Sequence, residues 1–524
     1  MVVSKKTRAA AKNMKRTNSH LSTDAPEKSA KEPQGRSNKR QKVEADALAV
    51  SKVSKSAAKE TQAKKEAKVK TEAKKKGNVK ANKSAKGTKR KSIEGAGKAI
   101  HWIPKRVHKG EEREVFERSK ASGKAFVFGN GDCGQLGLGT DMIERKKPFM
   151  VGKGDEDRFG KEVIVDIASG GLHTIAITNE GKLWSWGCND QRALGRGGEE
   201  YLPGKVEGVE DVEFVKVACG DSVTVGLTVD GKVYAWGTFR SAEGIMGYSE
   251  NTKIQSVPLQ IPELTNEKIV DISAGVDHVV ALSAYGEVYC WGNGQQFQLG
   301  RRVLERRKKA GLVPERLKLK DIVKIGTGAY HSFAYSSDGV LYSWGLNNFN
   351  QCGLRTADGG NNEVIVEPTE VASLKGQKLV KMAGGEHHSL VMNDQGELFA
   401  FGRSDSSQTG LPPSEQNAQS NEDSSENKDG EELSVHKKSV KLPTKIPNIP
   451  KVIDFSCGSN HNLAITEDKK LYSWGYGEML QCGNGEEEDV STPTLVEGQK
   501  IDGLEILKIS AGGQHSAIVV STSS

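Results

Sequence analysis

The sequence predicts an all-β protein: a seven-bladed β-propeller closed by its N- and C-terminal strands and preceded by a disordered basic tail. Three observations predict it. A strand ending in an aromatic residue and glycine recurs, with its glycine at Gly129, Gly187, Gly237, Gly292, Gly345, Gly402 and Gly475. A second strand, entered through a glycine, recurs as often, starting at Gly170, Gly220, Gly275, Gly328, Gly384, Gly458 and Gly512. The two series are out of phase at the ends. AFVFG has no glycine-histidine strand before it, and SAGGQHSAIVV has no aromatic-glycine strand after it. An open stack of repeats gives no reason for that offset. A ring in which the last strands complete the first sheet does, and it removes two bare edges.

Residues 1–117 are the tail. The first 100 residues hold 29 Lys and Arg against 9 Asp and Glu, a surplus of 20 positive charges. The whole chain is only +8, so the remainder carries −12. Nearly free of aromatics, the tail cannot bury enough apolar area to offset the ordering of its backbone. Lys39-Arg40-Gln41-Lys42 and Lys89-Arg90-Lys91 are clusters of the nuclear-import or nucleic-acid type.

Residues 118–524 are the propeller. In LWSW, VYAW, VYCW, LYSW and LFAF, aromatics two apart share one face and small or aliphatic residues fill the other. Both faces are dry, as a sheet sandwiched between two others requires. Asp230-Gly231 and Asp338-Gly339 mark hairpin turns between strands. The long interval between Gly402 and Gly458 holds a polar insertion at about 404–438, with eight Asp or Glu from Ser404 to Glu432, expected to be disordered. No apolar run is long enough to cross a bilayer, so no membrane role is expected. The seven scattered cysteines form no CxxC pair, which argues against a disulfide framework and a structural zinc site.

His173, His278, His331, His387, His461 and His515 occupy one repeat position, with Val223 standing there once. Equivalent positions of a large ring lie apart, whereas metal ligands converge on one atom. The histidines are therefore expected to hold turns by hydrogen bonds, with no metal and no cofactor. GNGDCGQLGLG lacks the GK[ST] ending of a phosphate loop and returns as GCNDQRALGRG, so it is a blade loop.

Function is expected where the repeats differ. In WGTFRSAEGIMGYSE the usual turn is replaced by 238–247, with Gly244, Ile245 and Met246 expected at an apolar tip flanked by Arg240 and Glu243. LGRRVLERRKKAGLVPERLKLK is basic on an acidic body, with Arg301, Arg302, Arg306 and Arg307. Asp132, Asp190, Asp221 and Asp277 are loop acids that gather at one end if loops of equal register share a face. An acidic rim suits a basic partner.

GNGDCGQLGLG, MIERKKP at 142–148, GCNDQRALGR, LPGKVE, CGDS and WGTFR…GIMG, in this order, resemble the regulator of chromosome condensation family, in its fungal form. The resemblance covers about residues 118–524. It implies a guanine-nucleotide exchange factor for the small GTPase Ran, which itself carries GDP or GTP and Mg²⁺. It also implies a nuclear, chromatin-bound protein, monomeric when free, that partners core histones through the nucleosome's acidic patch, DNA through the tail and a nuclear import receptor. By resemblance, 238–247 is a wedge pressed near the GTPase's phosphate loop, and Asp132, Asp190 and Asp221 face Ran, Asp221 being the one tied to turnover. Arg240 and His515 are further contacts, and 301–309 is the arginine loop. One departure is Asn350, where the family often has a histidine. Two other readings stay open: a propeller scaffold without exchange activity, and an enzyme using His173 and its equivalents.

Overall fold

The computed structural model describes residues 112–115, 122–152, 158–355, 362–412, 414 and 438–522. The tail up to residue 111 and residues 415–437 of the acidic insertion lie outside the described residues. The architecture is all-β and built of many small blades.

Turn chemistry sets the hairpins. Thr228 Oγ1 accepts the Lys232 N–H at 2.9 Å and bonds Asp230, while Gly231 adopts φ 78°. Ser336, Asp338 and Gly339 repeat the device. A side chain in that left-handed position is strained, which is why glycine recurs there. At Lys469, with φ 61°, the chain accepts that strain once.

Five four-stranded sheets stand alone, and one eight-stranded sheet contains two more such units. Ile506–Ala511, His515–Ser521, Gly123–Asn130 and Glu144–Met150 form one unit. Ile164–Ser169, His173–Thr178, Leu183–Gly187 and Gly204–Lys205 form the other, joined to the first at the single pair Gly123↔Ile164. Strand Gly123–Asn130 pairs with His515–Ser521 from Gly123↔Ser521 to Gly129↔His515.

Neighbouring sheets are stitched at one end by backbone bonds. Gly171 N–H donates to Gly220, Asp221 to Val276, Val276 to Ala329, Ala329 to Gly385, Glu386 to Ser459, Ser459 to Gly512 and Gly513 back to Gly170, all within 2.8–3.2 Å. The histidines lie alongside this collar. Nε2 of His173 meets Thr224 Oγ1 at 2.9 Å, His278 meets Ser332 at 2.8 Å, His331 meets Ser389 at 2.7 Å, and His388 meets Asn462 at 2.8 Å. His461 meets Ser516 at 2.8 Å and His515 meets Thr174 at 2.9 Å. Each partner is the residue that follows the repeat position in the next sheet. Thr174 and the Trp186 indole both donate to the Gln135 carbonyl, and Ser332 and Trp344 both donate to Gln298. The hydroxyl oxygen is thus left to accept from Nε2–H, and burial, which disfavours the charged ring, keeps the imidazole neutral. A Cβ on Gly170, Gly275 or Gly512 would strike the Cε1 of the following histidine, which explains why glycine precedes it.

Where Val223 replaces the histidine, its counterpart across the seam is Val279, and both are fully buried in one apolar cluster. Both halves of the polar pair are lost together, so no group is left unsatisfied. One repeat assignment is corrected: His388 and Gly385, not His387 and Gly384, hold the ring positions. Asp166, Lys216, Lys381, Asp454 and Lys508 line a cavity of about 450 Å³. Lys216–Asp271 at 2.6 Å and Lys381–Asp454 at 2.5 Å cross further seams.

Candidate functional site: an acid-lined end and its hairpin

The loops after the aromatic-glycine strands bond to the loops before the histidines. Cys188 N–H donates to Leu172, Thr238 to Ser222, Asn293 to Asp277 and Asn130 to Gln514, at 2.7–2.9 Å. Both loop classes therefore lie at the collar end, and the acids they carry gather there. Asp132, Asp190 and Glu200 surround Cys133, whose thiol is pushed up by burial and then by those charges. Asp221 sits in the collar itself, its carboxylate against Gly171 and its Oδ2 3.4 Å from Arg240 Nη1.

The hairpin is built from Phe239–Ser241 and Gly244–Gly247, with Arg240 opposite Ile245 and Ser241 opposite Gly244. Phe239 and Met246 are buried in one cluster with Trp291 and Leu312. Met246 is therefore a root and not a tip, because an exposed apolar end would forgo that burial. Ile245 is half-buried, and the exposed tip is Ala242 and Glu243. The next sheet clamps the base of the hairpin. Asp277 Oδ1 accepts the Arg240 N–H at 2.6 Å, and Asn293 Nδ2 donates to the Arg240 carbonyl at 3.0 Å. Asp277 is 8% exposed, and burial, with Asp221 near, pushes its carboxyl up to about 7. A carboxyl so perturbed beside a projecting hairpin makes Asp277 a candidate site residue.

Gly171 has a readable purpose. A Cβ there would overlap Asp221 Oδ1. Gly171→Ala is expected to swing that flexible side chain away from Arg240 without breaking the collar. The nucleotide exchange that the resemblance implies should slow about tenfold or more, with a thermal midpoint near that of the wild type, both measured on the same preparation.

The structure moves other residues. His515 is fully buried on Thr174, so it cannot be a surface contact. Asn350 is 6% exposed, with its amide 3.3 Å from Ser439 Oγ. Arg301 folds back, donating to the Cys290 carbonyl and pairing with Glu315 at 2.8 Å, whereas Arg302, Arg306 and Arg307 are exposed. Lys89, Arg90 and Lys91 lie outside the described residues.

Sequence reading missed an aromatic patch at the same end. His387 stands 6.1 Å from Tyr330 and 5.0 Å from Phe349, between ring centroids, and Arg403 covers Phe349 at 5.3 Å. The doubled histidine in GGEHHS hid it: Ser389, the hydroxyl the ring needs, follows His388 and releases His387 to the surface loop. Among the described residues no group of three His, Cys, Asp or Glu stands together as a metal site would.

The comparisons agree with this architecture. The RCC1-like domain model matches residues 124–518. Protein pim1 of Schizosaccharomyces pombe is 38% identical over 75% of this chain and 74% of its own length. Guanine nucleotide exchange factor SRM1 of Saccharomyces cerevisiae is 33% identical over 75% of this chain and 86% of its own. The crystal structure of Prp20p from Saccharomyces cerevisiae, described with its binding properties to Gsp1p and histones, superposes with a TM-score of 0.70 at 34% identity. It covers 78% of this chain and 93% of that one. On the extent of these matches, the chain belongs to the regulator of chromosome condensation family.

Proposed function

We propose that residues 118–524 form a seven-bladed propeller closed by the first and last strands, and that it is a guanine-nucleotide exchange factor for the small GTPase Ran. The observation that carries the reading is the hairpin, rooted by Phe239 and Met246 and clamped by Asp277 at an acid-lined end. The names of SRM1 and the partners of Prp20p support it.

The mechanism needs no covalent step and no cofactor of its own. The GTPase holds its nucleotide by its phosphate loop and Mg²⁺. A hairpin rooted beside Asp221, at the same end as Asp190 and Asp132, binds the GTPase better when those contacts are distorted. Binding energy then offsets loss of the nucleotide, and each 1.4 kcal/mol or so lowers the barrier enough for about tenfold in rate. Exchange runs in both directions, and excess free GTP sets the outcome. Arg302, Arg306 and Arg307 engage the acidic patch of the nucleosome, and the tail engages DNA and an import receptor. The protein thereby works in the nucleus, on chromatin, as a monomer.

The test is release of fluorescent GDP from Ran. The full chain is expected to accelerate it, and Asp221→Ala to lose about tenfold or more of that acceleration. Release no faster than Ran alone would leave a scaffold.

A further inference from the structure

The basic segment turns one side inward, and that side meets the hairpin. Residues Glu305–Leu312 form 3-10 turns between strands Val288–Gly292 and Glu315–Arg316. Leu312 shares the apolar cluster of Phe239 and Met246. Lys309 Nζ donates to the Glu250 carbonyl at 3.1 Å, just past the hairpin. Lys308 Nζ ion-pairs with Glu243 at the tip, and Glu305, one turn back, approaches the same ammonium at 3.4 Å. Arg302, Arg306 and Arg307 are exposed and carry no ion pair among the described residues.

The root of the hairpin is fixed by Phe239, Met246, Asp277 and Asn293. Among the described residues its tip has local bonds through Ser241 and one side-chain tie to another element, Lys308. An isolated two-stranded hairpin is marginal in water, so the tip depends on such a tie for a single direction. We propose that Lys308 is a positioning residue for exchange, its ammonium holding Glu243 and with it the hairpin tip in the direction that meets the GTPase. The inference rests on the exchange reading above. Lys308 acts through Glu243, so it belongs to a different working part from Arg302, Arg306 and Arg307, though all four lie in one basic run.

The experiment is single-turnover release of fluorescent GDP from Ran at rising concentrations of the full chain. It separates the maximal rate from the half-saturating concentration. Lys308→Met is expected to lower the maximal rate about threefold to tenfold and to leave half-saturation nearly unchanged. Lys308→Arg should keep the rate. Lys308→Glu combined with Glu243→Lys should recover most of what either change loses alone. Lys375→Met, which removes an exposed charge elsewhere, should behave as wild type. A wild-type maximal rate in Lys308→Met overturns the assignment while exchange stands. So do strictly additive losses when Lys308→Met is combined with Glu243→Gln. Wild-type protein that fails to accelerate release overturns the exchange reading first, and the role of Lys308 with it.

Discussion

Between pH 6.5 and about 4 the protein is expected to lose its stability steeply. Burial lowers His173 and His388 from the ordinary 6.5 to about 4, and His278, His461 and His515 to about 3, with His331 also well below. In that interval the unfolded chain binds more protons than the folded one, so falling pH favours unfolding. The stability is complete above 6.5 and is lost toward the folded values. Each histidine adds about 1.4 kcal/mol per pH unit to the slope. Together they amount to on the order of 8 kcal/mol per unit, against about 5–15 kcal/mol for a whole domain. Asp277, Asp166 and Asp489, all raised first by burial, have the opposite sign but are three carboxyls against six histidines. Thermal melts from pH 7.5 to 5 measure the slope. Replacing His278 and Ser332 together by valine copies the natural Val223–Val279 seam and should remove about one sixth of it. An unchanged slope would show that the acid sensitivity lies elsewhere.

Asp277→Ala is expected to reduce exchange about 100-fold while the thermal midpoint moves little. The carboxylate touches the backbone of the hairpin, not its core, so its loss frees the base of the projection without opening a cavity. Asp277→Asn keeps an acceptor for the Arg240 N–H and should retain most of the rate. The two variants also differ from wild type in pH response. With the Asp277 carboxyl pushed up to about 7, wild-type release should quicken as pH rises from 6.5 to 8, because the ionised group is the stronger acceptor. The asparagine variant should be flat over the same range. A wild-type rate in Asp277→Ala would detach the clamp from the activity.

Strands and turns were legible because they are local. Asp230-Gly231 and Asp338-Gly339 announce their hairpins, and the two-apart aromatics announce dry faces. The histidines were legible as structural, and even their partners can be found, since a Thr, Ser or Asn follows each of His173, His331, His388, His461 and His515. The paired loss at Val223 and Val279 follows the same rule. What did not show was direction. WGTFRSAEGIMG reads as an apolar tip because its apolar residues are contiguous, yet the fold buries Met246 at the root with Phe239 and leaves Glu243 at the bend. Likewise, 301–309 reads as one basic patch, yet Arg301 and Lys308 are spent on Glu315 and Glu243. Such tertiary pairings join residues 14 to 65 positions apart, and no local period encodes them.

Pairing Gly123–Asn130 with His515–Ser521 fixes the order of events at the ribosome. Among the described residues, the first strand to emerge must wait for its mate, roughly 385 residues later, or roughly 20–80 s at usual elongation rates. Throughout synthesis one edge of an apolar strand stands without its mate, open to any foreign strand. Production of this protein is therefore expected to need chaperone cover during translation until residues 515–521 have emerged.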